Sequence, residues 1–346
     1  MIDAALAVPG EIDTPTGGYA YARALLAHGP QAGLALRHVA LPGGFPVPDA
    51  GELERAAAQL GEVTTPLIVD GLALGALPDH VLDAIRAPLI ALCHHPLGLE
   101  TGLDAETAAR LIRSERAALA RARAVIVTSR TTAGQLVADF GVPEGRITLA
   151  PPGLDPAEPA PRGNAPPMIL SVGSLTPRKG HDVLIRALGH LAPIPWRCVI
   201  AGPADRDPAW AARLAILVRS RGLEGRVEMA GAVTGADLDG LYARADIFCL
   251  PSRHEGYGMV FAEAMMRGLP VIACRAGAVP EVVPPAAGLL APVDDDLVLA
   301  EFLSLLLASP AVAARMAAQA RRHALSLPGW EETARTVART VAGVAA

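Results

Sequence analysis

Short apolar segments alternate with helical patterns from one end of this 346-residue chain to the other. This alternation is typical of parallel β-sheets covered by helices on both faces. The predicted strands of the first half are residues 4–8, 34–41, 67–70, 89–93, 124–128 and 146–150. Those of the second half are residues 168–172, 196–201, 227–229, 247–250, 270–273 and 288–290. The sequence therefore predicts an α/β fold with two series of parallel strands.

Helical patterns occupy the intervals between the predicted strands. The predicted helices are residues 19–27, 53–61, 105–121, 182–191, 210–221, 235–245 and 259–267. After the acidic run at residues 294–296 the pattern stays helical to the C-terminus, with one break at residues 327–329.

Seven prolines lie between Pro151 and Pro167, which is too many for a helix or a sheet, so this segment is predicted to link two domains. A chain of this length also exceeds the usual size of one domain. We predict Rossmann-like, doubly wound domains at residues 1–155 and 156–325, followed by a C-terminal helix at residues 326–346. Ligands are expected in a cleft that faces the carboxyl ends of both sheets.

The charge balance disfavours nucleic-acid binding, because the net charge is −5 and only 3% of the residues are aromatic. One predicted helix and its end carry a basic series, Arg110, Arg113, Arg116, Arg121 and Arg123. A solvated helix face explains this series better than a lipid-headgroup patch, which stays an alternative.

No uninterrupted apolar run reaches the roughly 18 residues of a membrane span, and the N-terminus is predicted to be a buried strand rather than a signal peptide. The four cysteines are scattered without a Cys-x-x-Cys pair, which indicates buried thiols in a reducing compartment. We therefore expect a cytoplasmic protein, with contact at the inner face of the membrane as the open alternative.

Lys179 is the only lysine in the chain, against 29 arginines. It follows a predicted strand, in a Gly-containing turn that leads into a helix, and this is where α/β proteins bind phosphate. A compact ammonium group enters a phosphate site that a planar guanidinium overfills. The turn therefore predicts a phosphate-binding lysine, and a solvated surface lysine is the alternative.

A loop with Glu255, Gly256 and Gly258 follows the predicted strand 247–250, and a helix with Glu263 begins near Met259. The amino end of that helix favours an anion, and the two glycines allow the backbone to approach it closely. The two carboxylates should lie on the order of 8–10 Å apart along the helix axis. That separation suits the two ends of an extended ligand, although two solvated glutamates are the simpler explanation.

Glu255 and Glu263 also match the Glu-x7-Glu motif, and the surrounding sequence resembles the nucleotide-sugar site of the retaining glycosyltransferases of family 4. Further similarity extends from Thr16-Gly17-Gly18, through Arg178-Lys179-Gly180, to the segment 276–281, and thus covers nearly the whole chain. The resemblance implies the GT-B fold, with two Rossmann-like domains facing a central cleft and a last helix that crosses back to the N-terminal domain.

The resemblance also implies roles for individual residues. Lys179 and Arg178 would neutralise the donor diphosphate, Glu263 would hold the ribose hydroxyls and Glu255 would lie against the donor sugar. Gly17 and Gly18 would approach the diphosphate from the first domain. The remaining donor-binding residues implied are Ser174, Gly256, Tyr257, Gly258, Met259 and Val260. The family usually has an arginine at the position of Ser174, and Arg178 is expected to supply that charge here.

Two adjacent histidines, His94 and His95, follow the predicted strand 89–93. Relatives carry a histidine here that contacts the donor sugar, and His94 aligns with it better than His95 does. His95 and Glu100 are candidates for contact with the acceptor. A structural role is the alternative for each histidine.

No His, Cys and Asp residues have the spacing of a metal site, and the acidic pairs at Asp205/Asp207 and Asp294/Asp296 fit loops and helix caps. We expect no metal and no cofactor, because Lys and Arg with a helix dipole provide the charge that a cation would provide. No Gly-x-Ser-x-Gly motif of a serine hydrolase is present.

The resemblance implies a retaining, metal-independent hexosyltransferase that moves a sugar from a UDP- or GDP-sugar to a hydroxyl group of a polysaccharide, lipid or small molecule. A sugar-nucleotide epimerase with the same fold and a catalytically inactive nucleotide-sugar-binding subunit are the alternatives. A glycogen-type phosphorylase would need a lysine for pyridoxal phosphate, and the single lysine is assigned to the phosphate site.

Overall fold

The computed structural model describes residues 1–100 and 102–345, which divide into two compact units. The first unit contains Met1–Gly153 and the chain from Pro328 onward, and the second contains Leu154–Leu327. Each unit is built on one six-stranded sheet whose strands are all parallel. The prediction of an α/β fold with two Rossmann-like domains is confirmed.

The sheet of the first unit has the strand order β2-β1-β3-β4-β5-β6. Its strands are β1 (Ile2–Pro9), β2 (Leu34–Leu41), β3 (Leu67–Asp70), β4 (Leu89–Cys93), β5 (Ala124–Val127) and β6 (Ile147–Leu149). The helices are α1 (Gly17–His28), α2 (Ala50–Gly61), α3 (Gly71–Leu74), α4 (Asp79–Leu82), α5 (Ala105–Arg121) and α6 (Arg130–Phe140).

The sheet of the second unit has the strand order β12-β11-β10-β7-β8-β9. Its strands are β7 (Met168–Val172), β8 (Arg197–Ala201), β9 (Val227–Gly231), β10 (Ile247–Leu250), β11 (Val271–Cys274) and β12 (Gly288–Ala291). Its helices are α7 (His181–His190), α8 (Pro208–Ser220), α9 (Gly235–Ala243), α10 (Met259–Met266), α11 (Val279–Val282), α12 (Asp296–Ala308) and α13 (Pro310–Ala324). The last helix, α14 (Trp330–Ala345), belongs to the first unit.

The strand order places a topological switch point in each sheet. In the second unit the chain runs from β7 outward through β8 and β9, and then returns to the other side of β7 with β10. In the first unit the reversal lies between β1 and β3. Loops on the two sides of a reversal diverge, so a crevice forms at the carboxyl ends of those strands, and ligands of doubly wound folds bind there.

Apolar strands explain why these sheets lie in the interior. The strands β3, β4 and β5 are buried over their whole length, as are β10 and β11. A parallel sheet covered by helices on both faces needs such uninterrupted apolar segments, which is why the sequence identified these five strands. The four cysteines are buried and free, as predicted.

The proline-rich segment is irregular, as the sequence predicted, but from Leu154 onward it is part of the second unit. The backbone N–H of Ala160 donates to Arg267 O at 2.8 Å, and the Arg321 guanidinium donates to Ala157 O at 2.9 Å. Asp246 accepts hydrogen bonds from the backbone of Gly163 and Asn164. The segment is therefore held along the second unit by its own backbone, which proline content alone does not reveal.

Helix α14 packs on α1, β1 and β5 within the first unit. The Trp330 ring meets the Tyr21 ring edge-on at a centroid distance of 5.7 Å. Gly153 lies so close to Trp330 that an added Cβ would be 2.3 Å from its backbone nitrogen. The Thr333 hydroxyl donates to Pro151 O at 2.7 Å. These contacts attach the end of the chain to the first sheet, as predicted for the last helix.

Residues that cap helices explain two acidic segments of the sequence, and cap residues also mark helix α6, which the sequence analysis did not predict. The Asp207 carboxylate accepts from Trp210 N, and Asp295 accepts from Val298 N, so both are N-caps. Helix α6 was not predicted, although Ser129 caps it and Gly141 ends it in the left-handed region. These two cap residues were the sequence signal that identifies α6.

Among the described residues no single helix is long and apolar enough to cross a membrane. The helices α12 and α13 reach that length only as a pair, and they are bent by 102° at the break between them.

Candidate active site

The switch point of the second unit brings the turn after β7 against the loop after β10. The Lys179 ammonium donates to Glu255 Oε1 at 2.6 Å, and the Arg178 guanidinium lies 3.4 Å from Glu255 Oε2. The Ser252 hydroxyl donates to Glu255 Oε1 at 2.7 Å. The Glu255 side chain is 7% exposed, so these cationic and hydroxyl groups surround a buried carboxylate.

Close backbone approach holds these two loops together. Gly180 has φ +68°, and a Cβ at this position would lie 2.0 Å from Pro251 O. The backbone N–H of Arg253 donates to Arg178 O at 2.7 Å. The aliphatic part of Lys179 packs over Gly173, where a Cβ would be 3.2 Å from Lys179 Cδ. The Arg-Lys-Gly turn therefore needs glycine at Gly180.

The cationic neighbours determine the ionisation of Glu255. Burial by itself raises the pKa of this carboxyl, but the charges of Lys179 and Arg178 and the hydrogen bonds from Lys179 and Ser252 lower the pKa to about 2. Glu255 is therefore a carboxylate throughout the neutral range, and it keeps two positive groups at one place beside the helix α10.

Arg253 supports the Arg-Lys-Gly turn from behind. Its guanidinium donates to Asp182 Oδ1 at 3.0 Å and Asp182 Oδ2 at 2.8 Å, and also to Pro177 O. Burial opposes the ionisation of Asp182, yet its hydrogen bonds with Arg253 and Arg186 lower its pKa. The sequence prediction did not include Arg253 or Asp182. The position of Arg253, two residues before Glu255 of the Glu-x7-Glu motif, was the sequence feature that could have identified this arginine.

Glu263 lies in α10 and accepts a hydrogen bond from the Tyr242 hydroxyl at 3.0 Å. The Arg267 guanidinium lies over the Tyr242 ring, 4.5 Å from its centroid. Burial raises the pKa of Glu263, while the Tyr242 hydrogen bond and the Arg267 charge act in the opposite direction. Tyr242 was not predicted as a site residue because it comes from α9, 21 residues before Glu263.

The loop after Glu255 and the first turn of α10 contain five further residues predicted to contact the donor. Gly256 and Tyr257 precede Gly258, which is the N-cap residue of α10, and Met259 begins that helix. Val260 lies in the first turn, where backbone N–H groups and the helix dipole favour an anion. The amino end of α10 therefore follows Glu255 by only a few residues, so the helix dipole and the Glu255 loop belong to one candidate site.

Gly277 fixes a third segment against this loop. It has φ +52°, and a Cβ would lie 2.3 Å from Glu255 O. The backbone N–H of Ala278 donates to the same Glu255 carbonyl at 2.9 Å. The segment 276–281, which the sequence analysis noted only for its similarity, thus positions the backbone of Glu255.

The turn after β7 also contains Ser174 and precedes a buried histidine. Ser174 O accepts from Thr176 N at 2.8 Å, so Ser174 shapes the turn that carries Lys179. His181 begins α7 and is 0% exposed. Burial, together with the charge of Lys179, lowers the pKa of His181 to about 3. Its imidazole is therefore neutral beneath the cationic turn.

The switch point of the first unit contains a cavity of about 170 Å³ at the ends of β1, β3 and β4. Its lining residues are Val8, Thr16, Gly18, Tyr19, Asp70, Gly71, Leu72, His94, His95, Leu97 and Glu100. The predicted residues Gly18, His94, His95 and Glu100 are therefore brought together. Gly17, the first residue of α1, adjoins this group but does not line the cavity.

His94 is held between a carboxylate and an aromatic ring. Its Nε2 lies 3.4 Å from Asp70 Oδ2, and the Tyr21 ring meets the imidazole edge-on at 5.2 Å. Asp70 also caps α3 by accepting from Leu72 N at 2.8 Å. The sequence analysis placed Asp70 in a strand and did not identify it as a site residue. The sequence feature that could have identified Asp70 is its position as an acidic residue at the carboxyl end of an apolar strand, where doubly wound folds bind ligands.

Glu115 supports the segment that follows the histidines. It lies in α5, is 3% exposed, and its carboxyl accepts from Leu97 N at 3.0 Å. Burial raises the pKa of Glu115 to about 8, against the opposing effect of the backbone hydrogen bonds from Leu97 and Gly98. A buried, titratable carboxyl thus lies directly behind the cavity wall.

Comparison with known proteins identifies the family of this chain. Residues 157–323 match the family model described as Glycosyl transferases group 1, and residues 64–158 match the one described as Glycosyltransferase Family 4. The chain belongs to glycosyltransferase family 4 and has the GT-B fold. The resemblance inferred from the Glu-x7-Glu motif is confirmed.

Two curated relatives and one solved structure illustrate the similarity. The chain is 34% identical over 247 residues to a D-inositol 3-phosphate glycosyltransferase of Xylanimonas cellulosilytica, covering 66% of this chain and 58% of that protein. It is 28% identical over 279 residues to an MMP alpha-(1->4)-mannosyltransferase of Mycolicibacterium hassiacum, covering 74% and 64%. The matches thus span about 60% of the length of these relatives.

HepE of Anabaena, solved in complex with UDP and glucose, superposes with a TM-score of 0.82 and 19% sequence identity, covering 99% of this chain and 100% of that chain. At this identity the likeness demonstrates the shared GT-B fold.

Proposed function

We propose that this protein is a retaining glycosyltransferase that transfers a hexose-type sugar from a nucleotide-diphosphate-sugar, a UDP- or GDP-sugar, to a hydroxyl acceptor. The observation that carries the proposal is the ion pair of Lys179 with the buried Glu255, at the switch point of the second sheet beside Arg178. Family membership and the mannosyl- and glycosyltransferase names of the relatives support the reaction class. HepE, which has the same fold, was solved with UDP and glucose.

In the proposed reaction, Lys179 and Arg178 bind the donor diphosphate. Negative charge develops on the phosphate oxygen as its bond to the sugar breaks, and the two cationic groups with the amino end of α10 stabilise it there. These groups are already held in place by Glu255 and by the Arg253–Asp182 pair, so little reorganisation is needed at the moment of reaction.

Each remaining residue of the second unit receives a binding role. Glu263, oriented by Tyr242, accepts hydrogen bonds from the ribose hydroxyls. Glu255 faces the donor sugar, and the backbone from Gly256 to Val260 surrounds the phosphates and the sugar. Ser174 shapes the turn beneath Lys179.

Retention follows if the acceptor attacks from the face that the phosphate leaves. The acceptor oxygen forms the new bond to the anomeric carbon, the bond to the phosphate oxygen breaks, and the acceptor proton passes to that phosphate oxygen. This step needs no enzymic nucleophile and no metal. In this proposal Lys179 and Arg178 neutralise the charge of the diphosphate. Among the described residues, no group of three or more His, Cys, Asp or Glu side chains is placed so that it could hold a metal ion.

The first test is thermal stabilisation of the protein by UDP, GDP, ADP and dTDP at matched concentrations. A shift with one nucleotide identifies the donor base, and acceptor-dependent release of that nucleotide, unchanged by EDTA, then establishes transfer. The configuration of the first-formed product, read by proton NMR, tests retention. Conversion of the donor sugar without an acceptor would indicate an epimerase, and nucleotide binding without turnover would indicate an inactive binding subunit.

The four buried, free cysteines support a reducing compartment, and we propose that the protein acts in the cytoplasm. Separation of cell lysate into soluble and membrane fractions tests this location. Two of the five arginines of the basic series are engaged within the first unit: Arg116 donates to Asp139 O, and Arg121 pairs with Asp79 and Asp83. A helix face occupied in this way supports the solvated interpretation over lipid binding.

A further inference from the structure

The segment that follows β4 forms one wall of the first-unit cavity and lies flat against helix α5. It contains His94, His95 and Leu97, which line the cavity. Gly98 comes next, and a Cβ at this position would lie 2.4 Å from Ile112 Cγ1 and 2.9 Å from Ile112 N. No side chain fits between the segment and α5, so the surface of the helix fixes how far the segment extends toward the cavity.

Glu115 of α5 holds the backbone of the same segment. Its carboxyl is buried, Oε2 accepts from Leu97 N at 3.0 Å, and the backbone N–H of Gly98 donates to the same carboxyl. The backbone hydrogen bonds of the turn that begins here use the N–H groups of Leu99 and Glu100. The carboxyl therefore receives the two N–H groups that the turn itself does not use.

The same carboxyl also lies close to the segment that follows β3. A Cβ at Gly75 would lie 3.3 Å from Glu115 Cδ and 3.0 Å from Leu97 Cδ1. Gly75 is the C-cap residue of α3, and Asp70 caps the other end of that helix. Asp70 Oδ2 lies 3.4 Å from His94 Nε2. Glu115 thus lies behind both of the segments whose side chains meet at His94.

Packing alone does not explain a carboxyl at this position. Among the described residues Glu115 forms no ion pair with a cation, so its burial is not offset by an opposite charge there. An apolar side chain of similar volume would fill the same space with less desolvation. The carboxyl does what an apolar group cannot do, because it accepts hydrogen bonds from two backbone N–H groups of the cavity wall.

We propose that Glu115 is a positioning residue for His94: together with the adjacent face of α5, it holds the segment after β4 so that the imidazole lines the cavity. This inference rests on the proposed function, with His94 in the contact with the donor sugar that the resemblance to family 4 implies. Glu115 itself contacts neither donor nor acceptor in this proposal, and it acts only through the backbone that it holds.

Histidine side-chain NMR on the full chain tests this role without turnover. The protein is labelled with ¹⁵N-histidine, and the His94 signals are assigned from a His94→Gln variant. Glu115→Leu removes the acceptor with little change in volume, whereas the amide oxygen of Glu115→Gln still accepts from Leu97 N. We expect the His94 signals to move by more than one linewidth in Glu115→Leu and to stay in place in Glu115→Gln. Unmoved signals in Glu115→Leu, or equal movement in both variants, would overturn the proposal.

Gly98→Ala tests the same segment independently of Glu115, and it applies even if Glu115→Leu does not fold. The added Cβ has no room against Ile112, so the segment must move away from α5 and the His94 signals should shift. Gly145→Ala is the control, because a Cβ there meets no atom within 4 Å, and the His94 signals should stay in place. Unshifted His94 signals in folded Gly98→Ala would contradict the role of the α5 face.

Transfer kinetics, at a temperature at which each variant is folded, separate positioning from loss of stability. We expect kcat/KM to fall at least about tenfold in Glu115→Leu and to return to within about threefold of wild type in Glu115→Gln. Nucleotide affinity should change less than about twofold, because the proposed phosphate site lies in the second unit. Leu119→Ala truncates a buried side chain one turn further along α5 and is the control for destabilisation. An equal loss of kcat/KM in Leu119→Ala would mean that only the packing of α5 matters.

Failure of this inference is distinguishable from failure of the proposed function. If a nucleotide binds and transfer is measured, but the His94 signals do not respond to Glu115→Leu, the proposed function stands and the positioning role is wrong. If the His94 signals respond as expected and no nucleotide stabilises the folded protein, the glycosyltransferase assignment is wrong and the positioning geometry is correct.

Discussion

Lys179 and the buried Glu255 form an ion pair with an Nζ–Oε1 distance of 2.6 Å, although they are 76 residues apart in the sequence. The pair joins the turn after β7 to the loop after β10, which are the two segments that flank the switch point of the second sheet. A second cation, Arg178, lies on the other oxygen of the same carboxylate. The geometry assembles two positive groups and one carboxylate where doubly wound folds bind phosphate.

Replacement of Lys179 by alanine should reduce transfer with little effect on the fold. We expect kcat/KM to fall by a factor equivalent to about 2–4 kcal/mol, because a charge that stabilises the leaving phosphate is lost. Lys179→Arg should restore activity only in part, since a guanidinium is larger and planar. Arg197→Ala, on the exposed first residue of β8, is the control. Turnover equal to wild type in Lys179→Ala would refute the assignment.

Arg253→Met should lower kcat more than Arg186→Met does. Both arginines pair with Asp182, but only Arg253 also donates to Pro177 O in the Arg-Lys-Gly turn. Loss of the support beneath this turn should misplace Lys179, with a fall in kcat of about tenfold or more. Steady-state kinetics beside thermal melts separate the effects. Equal losses of activity in the two variants would show that only the stability of α7 matters.

Tyr242→Phe should weaken nucleotide binding through Glu263. The variant loses the hydrogen bond that orients this carboxyl and that lowers its pKa, so the pKa of Glu263 should rise further. We expect about fivefold weaker binding of the nucleotide by calorimetry, equivalent to about 1 kcal/mol.

Phe248→Leu is the control for Tyr242→Phe, because it removes a ring stacked 6.0 Å from Tyr242 without removing a hydrogen bond. It should lower the melting temperature and leave nucleotide affinity nearly unchanged. An unaltered affinity in Tyr242→Phe would mean that Glu263 does not contact the nucleotide.

Glu115→Gln should remove a pH dependence of stability. Burial raises the pKa of Glu115 to about 8 in the folded protein, above its ordinary value of 4.5. The folded state thus binds this proton more tightly than the unfolded state does. Wild type should therefore lose stability relative to the variant as the pH rises from about 5 through 8. Each pH unit of that window corresponds to about 1.4 kcal/mol at most, so we expect a total of a few kcal/mol.

Urea denaturation of wild type, Glu115→Gln and the exposed-site control Glu106→Gln at pH 5.5 and 8.5 measures this effect. The difference in unfolding free energy between wild type and Glu115→Gln should change between the two pH values, and that for Glu106→Gln should not. A constant difference for Glu115→Gln would show that its carboxyl does not titrate in this window.

The sequence predicted the strands well because most of them are uninterrupted apolar segments, as β4 and β10 illustrate. It predicted Lys179, Glu255 and Glu263 as candidate site residues because each lies in a local pattern of glycines and a helix start. It missed Tyr242, Arg253 and Asp70, whose relevant partners lie on other elements. It also missed that the segment after Leu154 is fixed to the second unit, since that depends on backbone contacts with Arg267 and Arg321.

The sequence by itself thus determined the α/β architecture, the family and the candidate residues of the proposed donor site, because periodicity, turn glycines and short motifs are properties of neighbouring residues. The tertiary structure alone decided that Lys179 and Glu255 pair at 2.6 Å, that Asp70 lies 3.4 Å from His94, and that Gly18, His94 and Glu100 line one cavity of the first unit. These features depend on strand order, which brings loops from distant parts of the chain to one switch point, and on burial, which sets the charge of the groups that meet there.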